Sequence, residues 1–268
     1  MACRTPRARP QGPARARLIA ALAVTALLAA SAFARAQDAP DISAPVFSQF
    51  CQPGATALAA DIVLPNVAAV LTQGRTLRIL SFGAAPGRIR ARGDYSDVIE
   101  GMLERTLGGI DVVMVNRGVS GELATQAAFR MKNEVALNEP DLVLWQVGTN
   151  DALAYVPAED FAAAVRNQIV WLKAHKVDVV LVGLQFASEM QRDTHYRLIR
   201  DTLRKVAAEQ EVPVIRFYEA MQIIGNPAGR APAAGEFERS EAGYNCLAQY
   251  VARAITLGTF AKTLQRRR

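Results

Sequence analysis

Residues 141–151 read DLVLWQVGTND, and this run contains the pattern on which the predicted fold depends. Residues 141–147 are mostly apolar, which is typical of a short strand buried on both faces of a sheet. Gly148 then permits a sharp turn, and Asn150 places an amide N–H donor just beyond the strand. The alternative is that Asn150 or Asp151 simply caps the following turn.

Similar apolar runs recur along the chain and alternate with amphipathic segments that are long enough for helices. The predicted strands are 76–82, 110–115, 141–147, 177–184 and 212–217. The predicted helices are 94–107, 123–137, 158–174, 195–210 and 240–257, with a weaker one at 61–72. This alternation predicts an α/β fold in which a five-stranded parallel sheet carries helices on both faces. In such a sheet, ligands bind beyond the carboxyl ends of the strands.

The N-terminal residues have the composition of a secretory signal peptide. A basic segment precedes an apolar run at 18–32, and Ala34-Arg35-Ala36 forms a small-x-small cleavage site. The run is short for a membrane span, and an uncleaved membrane helix is the alternative. We therefore expect an exported protein, periplasmic or secreted. The predicted divisions are a signal peptide (1–36), a lead-in segment (37–74), a main domain (75–260) and a basic tail (261–268).

The charge balance argues against nucleic acid as a partner. The chain carries 31 Lys and Arg against 25 Asp and Glu, a net charge of +6. Six of the arginines and none of the acids lie within 1–36, so the rest of the chain is neutral and lacks the basic surplus of a nucleic-acid-binding domain. The sequence shows neither metal-ligand spacing nor a phosphate-binding glycine motif, so we expect no metal and no cofactor. We also expect no membrane association after signal cleavage, and oligomeric state is left open.

Two cysteines remain after the predicted cleavage, Cys51 in the lead-in segment and Cys246 in the closing helix. An even pair in an exported chain predicts a disulfide bond, which would fasten the lead-in segment to the domain. The alternative is two separate thiols, with Cys246 buried as an apolar residue.

Three other motifs lie where predicted strands or loops meet helices. They are SFGAAPG at 81–87, NRGVSGE at 116–122 and SEAGY at 240–244. Together with WQVGTND, in this order and spacing, they resemble the SGNH (GDSL-type) hydrolase family over about residues 75–257. The resemblance implies a flavodoxin-like three-layer α/β/α sandwich. It also implies ester hydrolysis by a serine after the first strand, an oxyanion hole made by a glycine N–H and an asparagine side chain, and an Asp-x-x-His pair before the last helix.

Carried over residue by residue, the resemblance preserves only part of this machinery. Gly121 and Asn150 occupy the oxyanion-hole positions. The nucleophile position falls on Ala85, and the Asp and His positions fall on Gly235 and Glu238. The resemblance therefore implies a degenerate member that lacks the catalytic triad.

The predicted function is an exported, non-catalytic SGNH hydrolase-like protein. It would bind an acyl- or ester-bearing ligand, a glycan or a partner protein in the former active-site crevice. The alternative is an active esterase with relocated groups: Glu238 activating water, or His195, which opens the helix after the fourth strand. For His195, a surface position in the first turn of that helix is the simpler interpretation. His175 is predicted at the opposite end of the sheet.

Overall fold

A five-stranded parallel sheet forms the centre of the computed structural model, which describes residues 51, 63–83, 95–186, 188–224 and 241–265. The strands are β1 (Leu77–Phe82), β2 (Val112–Asn116), β3 (Leu142–Gln146), β4 (Asp178–Val182) and β5 (Val214–Ile215). The helices are α1 (Pro65–Gln73), α2 (Tyr95–Thr106), α3 (Ala124–Asn138), α4 (Thr149–Leu153), α5 (Ala158–Ala174), α6 (Thr194–Glu209), α7 (Phe217–Ile224) and α8 (Glu241–Gln265), with a short 3₁₀ turn at Ser188–Arg192. The predicted α/β fold with a parallel sheet is confirmed.

The strand order, β2-β1-β3-β4-β5, creates a topological switch point between β1 and β3. The chain leaves β1 toward one side to form β2 and later returns to the other side of β1 to form β3. In the register, Phe82 at the end of β1 pairs with Trp145 near the end of β3. Ser81 pairs with Asn116 at the end of β2. The carboxyl ends of three strands therefore meet at this point, where open α/β sheets bind their ligands.

The helices cover the sheet in two layers, because the strands are apolar on both faces. β4 is buried along its whole length, and only the last residue of β3 is partly exposed. Helices α3, α5 and α6 pack together over one face, and α1, α2 and α8 pack over the other. This arrangement is the three-layer sandwich that the resemblance implied.

Several elements differ from the sequence predictions. Helices α4 and α7 and the 3₁₀ turn were not predicted, because each is too short to show a helical period. Strand β5 has only two residues, since Pro213 cannot donate to the ladder and α7 begins at Phe217. Helix α8 continues past its predicted end at Leu257. The carbonyl of Gly258 accepts a hydrogen bond from the N–H of Leu64 at 3.0 Å, which ties this part of α8 to the start of α1.

The predicted disulfide is confirmed between Cys51 and Cys246, both of which are buried. The hydroxyl of Tyr250, one turn further along α8, donates to the carbonyl of Cys51 at 2.9 Å. At the amino end of β4, the Asp178 carboxylate accepts from the N–H groups of Asn66 and Val67 at the start of α1. Among the described helices, none is long and apolar enough to cross a membrane.

Candidate functional site

The end of β1 passes unusually close to the end of β3. Gly83 follows β1 with φ +109°, a left-handed conformation that favours glycine. A Cβ at this position would lie 2.1 Å from the carbonyl oxygen of Gln146. Only glycine therefore allows the chain to leave β1 beside β3. Ala85, the predicted nucleophile position, follows two residues later and lies outside the described residues.

The loop between β2 and α3, residues 117–123, forms one wall of the crevice. The N–H of Arg117 donates to the carbonyl of Ser81 at 2.8 Å, which fixes the start of the loop against β1. The side chain of Asn116 accepts from the N–H of Gly118 at 2.9 Å and closes a tight turn. Gly121 has φ +80°, and nothing lies within 4 Å of where its Cβ would be. Glycine at this position is thus explained by backbone conformation and not by lack of space.

A partly buried ion pair fastens this loop to α3. Arg130 donates to the two carboxylate oxygens of Glu122 at 2.8 and 2.9 Å, and the Glu122 side chain is 6% exposed. The hydrogen bond that Arg130 donates to Glu122 raises the pKa of Arg130 above its ordinary value. The Arg130 guanidinium also donates to the carbonyl of Arg117 and lies 4.9 Å from the centre of the Phe82 ring. Sequence reasoning missed this pair, since no local pattern links an acid before a helix to an arginine in its second turn.

Asn150 lies in α4, which contacts the β2–α3 loop. The helix starts at a glycine because Gly148 has φ +105°, and a Cβ there would lie 2.7 Å from Cδ1 of Leu184. The side-chain Nδ2 of Asn150 donates to the carbonyl of Glu122 at 2.9 Å. The structure therefore brings Asn150 next to Gly121, although the two residues are far apart in the sequence.

The Asp151 side chain contacts the start of α3, and α4 itself has no side-chain cap hydrogen bond. Asp151 is 1% exposed, and its Oδ1 accepts from the N–H of Ala124, the first residue of α3, at 2.9 Å. Burial raises the pKa of Asp151, while backbone N–H groups, with that of Ala124 the largest contributor, oppose the increase.

The β2–α3 loop and α4 each carry a polar N–H donor at this place. A carboxamide has two N–H donors, and the bond to Glu122 uses one donor of Asn150. The backbone N–H of Gly121 has no partner in the described part of the chain. We call Gly121 and Asn150 the donor pair. Such a pair can stabilise a carbonyl oxygen or a developing negative charge.

His195 lies in the first turn of α6, as predicted, and belongs to a cluster at the same edge of the sheet. Its ring stacks on Tyr155 with centroids 5.1 Å apart, and the Tyr155 hydroxyl donates to Asp193 at 3.0 Å. Asp193 also accepts from the N–H groups of His195 and Tyr196, and these bonds lower its pKa, with Tyr196 the largest cause. The side-chain Nε2 of His195 is buried without a hydrogen-bond partner among the described residues.

The remaining candidate residues are Gly235, Glu238 and His175. Gly235 and Glu238 lie outside the described residues. His175 follows the C-terminal end of α5, where its ring stacks on Trp171 and its Nδ1 lies 2.7 Å from the Trp171 carbonyl. In the described ranges, no group of three or more His, Cys, Asp or Glu residues is arranged to hold a metal ion.

A family model described as the non-GDSL lipase-like family matches residues 50–260. This match extends over most of the chain, including every strand. The chain belongs to the non-GDSL lipase-like family. The resemblance to SGNH hydrolases drawn from the motifs is confirmed at this level.

The non-GDSL lipase-like protein is also similar to known esterases. An arylesterase from Vibrio mimicus is 24% identical over 110 residues, 41% of this chain and 54% of the arylesterase. The chain thus spans about half the length of that relative. A lipase/acylhydrolase from Enterococcus faecalis has a TM-score of 0.53 and 22% identity, over 67% of this chain and 95% of the other. An acetyl xylan esterase has a TM-score of 0.56 and 18% identity, over 67% and 100% of the two chains. At these identities, the two solved structures demonstrate a shared fold alone.

Proposed function

We propose that this protein is an exported, non-catalytic member of its esterase-type family that binds an acyl- or ester-bearing ligand at the donor pair. The observation that carries the proposal is the 2.9 Å hydrogen bond from Asn150 to the carbonyl of Glu122, next to Gly121. It holds two donor groups at one crevice, beyond the carboxyl ends of β1, β2 and β3. A carbonyl oxygen is the ligand atom that such donors suit.

The absence of catalysis is inferred from the sequence positions of the reactive groups. Ala85 has no hydroxyl, Gly235 has no carboxylate to orient a base, and Glu238 has no imidazole. Without a nucleophile and a base, an oxyanion hole leaves only a small residual acceleration over water. The crevice would therefore bind a ligand without turning it over.

Export is supported by the buried disulfide as well as by the signal-like N-terminal segment. Disulfides form and persist in oxidising compartments such as the periplasm or the extracellular medium. A structural bond between the lead-in segment and α8 is the kind of feature that such compartments favour.

An active esterase with relocated groups is the second candidate, and one observation favours it. His195 lies at the crevice edge of the sheet, and its Nε2 is without a partner in the described residues. A neutral imidazole can act as a general base when a proton donor lies within reach. Glu238 remains the other group proposed for activating water in this candidate.

Hydrolysis and binding measured on the same purified protein separate the two candidates. We expect no hydrolysis of p-nitrophenyl acetate or butyrate above the buffer rate and no labelling by a fluorophosphonate. We expect N-butylacetamide, an acyl compound that resists hydrolysis, to bind, and Asn150→Ala to weaken that binding about tenfold. Gln73→Ala, which removes an exposed carboxamide from α1, is the matched control.

Either of two outcomes contradicts the non-catalytic proposal. One is ester hydrolysis that His195→Ala or Glu238→Gln abolishes, which supports the second candidate. The other is N-butylacetamide binding that is unaffected by Asn150→Ala. Ala85→Ser alone should restore nothing, because without a base the new hydroxyl stays protonated and is a weak nucleophile.

A further inference from the structure

A small cavity lies between α3 and α5, beside the β2–α3 loop. Its volume is about 280 Å³, and α3 contributes Thr125, Phe129 and Lys132 to its wall. Across from them, α5 contributes Asn167 and Gln168. Two alanines, Ala128 and Ala164, also line the cavity, and their small side chains leave a gap between the helices.

This interhelical cavity adjoins a larger groove of about 700 Å³ that begins at Gly121. Thr125 and Phe129 line both spaces, so Phe129 stands between them. The combined space leads from Gly121, one member of the donor pair, along α3 to Gln168. Cavities of this size hold small organic ligands.

Gln168 at the inner end is an unusual side chain for this position. The residue is 2% exposed, and its Nε2 is buried with no hydrogen-bond partner among the described residues. Buried donors in proteins almost always have an acceptor, so an orphaned one calls for an explanation. This Nε2 is sealed from solvent in the described conformation, so a ligand oxygen in the cavity would supply the missing acceptor after the Gln168 side chain rotates toward it.

Phe129 indicates what kind of ligand enters. Its side chain is 79% exposed, although it stands between two concave spaces. An exposed aromatic ring offers a flat apolar face, and the surrounding Thr125, Gln126, Asn133 and Asn167 offer hydroxyl and amide groups. This combination suits a ring-shaped ligand with an apolar face and many hydroxyl groups.

The lining argues against an acyl chain and against an anion in this part of the space. Val119 and Phe129 are its only large apolar lining side chains among the described residues, and they form no continuous apolar channel. Glu122 and Arg130 neutralise each other. The remaining cation, Lys132, lies 5.8 Å from the centre of the Trp171 ring.

We propose that the groove and the interhelical cavity form one binding site for a neutral carbohydrate chain. The ring of Phe129 packs against the apolar face of a sugar, and the Gln168 amide donates to a sugar hydroxyl. This inference rests on the proposed function, because the site begins at the donor pair. It makes the ligand an acylated or unmodified oligosaccharide whose carbonyl or terminal sugar reaches Gly121.

The test is a calorimetric titration with soluble hexasaccharides of β-1,4-linked glucose, xylose and N-acetylglucosamine and of α-1,4-linked glucose. We expect at least one to bind with a Kd at or below about 1 mM. Phe129→Ala should weaken binding about fivefold and Phe129→Tyr should preserve it. Leu137→Ala is the matched control, since Leu137 lies on the same helix, is also 79% exposed and lies outside both spaces.

Gln168→Leu separates a binding role from a structural one. Replacing an unpaired buried donor by an apolar group of similar size should leave resistance to urea unchanged or higher. The same substitution should weaken saccharide binding about tenfold. A loss of stability without a loss of binding would mean that Gln168 serves the packing of α5, and the proposal would be wrong.

The remaining outcomes also decide the matter. Absence of binding by every hexasaccharide up to about 10 mM overturns the proposal, as does binding that is insensitive to both Phe129→Ala and Gln168→Leu. Saccharide binding that depends on Phe129, found together with ester hydrolysis, supports this site while contradicting the non-catalytic function. N-butylacetamide binding that depends on Asn150, found without any saccharide binding, supports ligand binding at the donor pair while contradicting the saccharide site.

Discussion

The Oδ1 atom of Asp151 lies 2.9 Å from the backbone nitrogen of Ala124, which donates a hydrogen bond to it. This contact joins the turn after β3 to the first residue of α3. Gly121 precedes Ala124 by three residues, and Asn150 immediately precedes Asp151. A buried carboxylate therefore fixes the distance between the two members of the donor pair, and Asp151 is a positioning residue.

Removing the Asp151 carboxylate should loosen the crevice and destabilise the fold. Asp151→Ala leaves the buried N–H of Ala124 without its acceptor, at a cost of about 1–3 kcal/mol in the free energy of unfolding. Urea denaturation measures that loss. Asp160→Asn, an exposed acid in the first turn of α5, is the control and should change the free energy by a few tenths of a kcal/mol at most. An equal effect of the two substitutions would contradict the positioning role.

The stability contributed by Asp151 should decrease as pH rises. Burial raises its pKa in the folded state above the ordinary value of 3.8, so the folded protein keeps a proton that the unfolded chain releases. Stability therefore falls between pH 3.8 and the raised pKa, and it is independent of this group above that window. The measurement is the difference in unfolding free energy between wild type and Asp151→Asn across this range. The pKa of Asp178 is also raised by burial, but Asp178 is present in both proteins and cancels. An unfolding free energy of wild type that rises with pH relative to that of Asp151→Asn would refute the assignment.

Gly83→Ala should be far more damaging than the same change at Gly74. At Gly83, the new Cβ would meet the Gln146 carbonyl at 2.1 Å, and the φ of +109° strains any other residue. We expect a loss of about 3–5 kcal/mol, from steric overlap and backbone strain together. At Gly74, φ is +62° and nothing lies within 4 Å, so only backbone strain of about 1–2 kcal/mol applies. Thermal unfolding of both variants checks the ranking, and similar melting temperatures would show that β1 and β3 can separate without cost.

Loss of the disulfide should be strongly destabilising. Cys51 and Cys246 are 195 residues apart, so the bond closes a long loop in the unfolded chain. Chain-entropy reasoning gives roughly 5 kcal/mol as an upper limit for its contribution. Urea unfolding measures this loss of stability as the difference in unfolding free energy between the oxidised wild type and the Cys51→Ala, Cys246→Ala double variant. Two reactive thiols in the unfolded, unreduced protein without residues 1–36, which removes Cys3, would show that the bond does not form.

Local patterns in the sequence were sufficient for the sheet and for most of its helices. Buried strands of β-branched and aliphatic residues and amphipathic helices are recognisable from their periodicity, and five strands and six helices lie where the pattern predicted them. The motif around Gly121 and Asn150 and the cysteine pair were also visible. Elements too short to show a helical period, such as α4 and α7, could not be predicted from the sequence. The triad positions Ala85, Gly235 and Glu238 remain predictions from the sequence.

Contacts between distant residues were decided only by the tertiary structure. Nothing local links Asp151 to Ala124, Glu122 to Arg130, or the cavity at Gln168 to the groove at Gly121. The reason is physical: periodicity records which face of a segment is buried, and each residue contributes to it independently. A hydrogen bond or a cavity between two helices depends instead on how all the side-chain volumes beneath them set their spacing. The sequence therefore determined which elements form, and packing determined which of their polar groups meet.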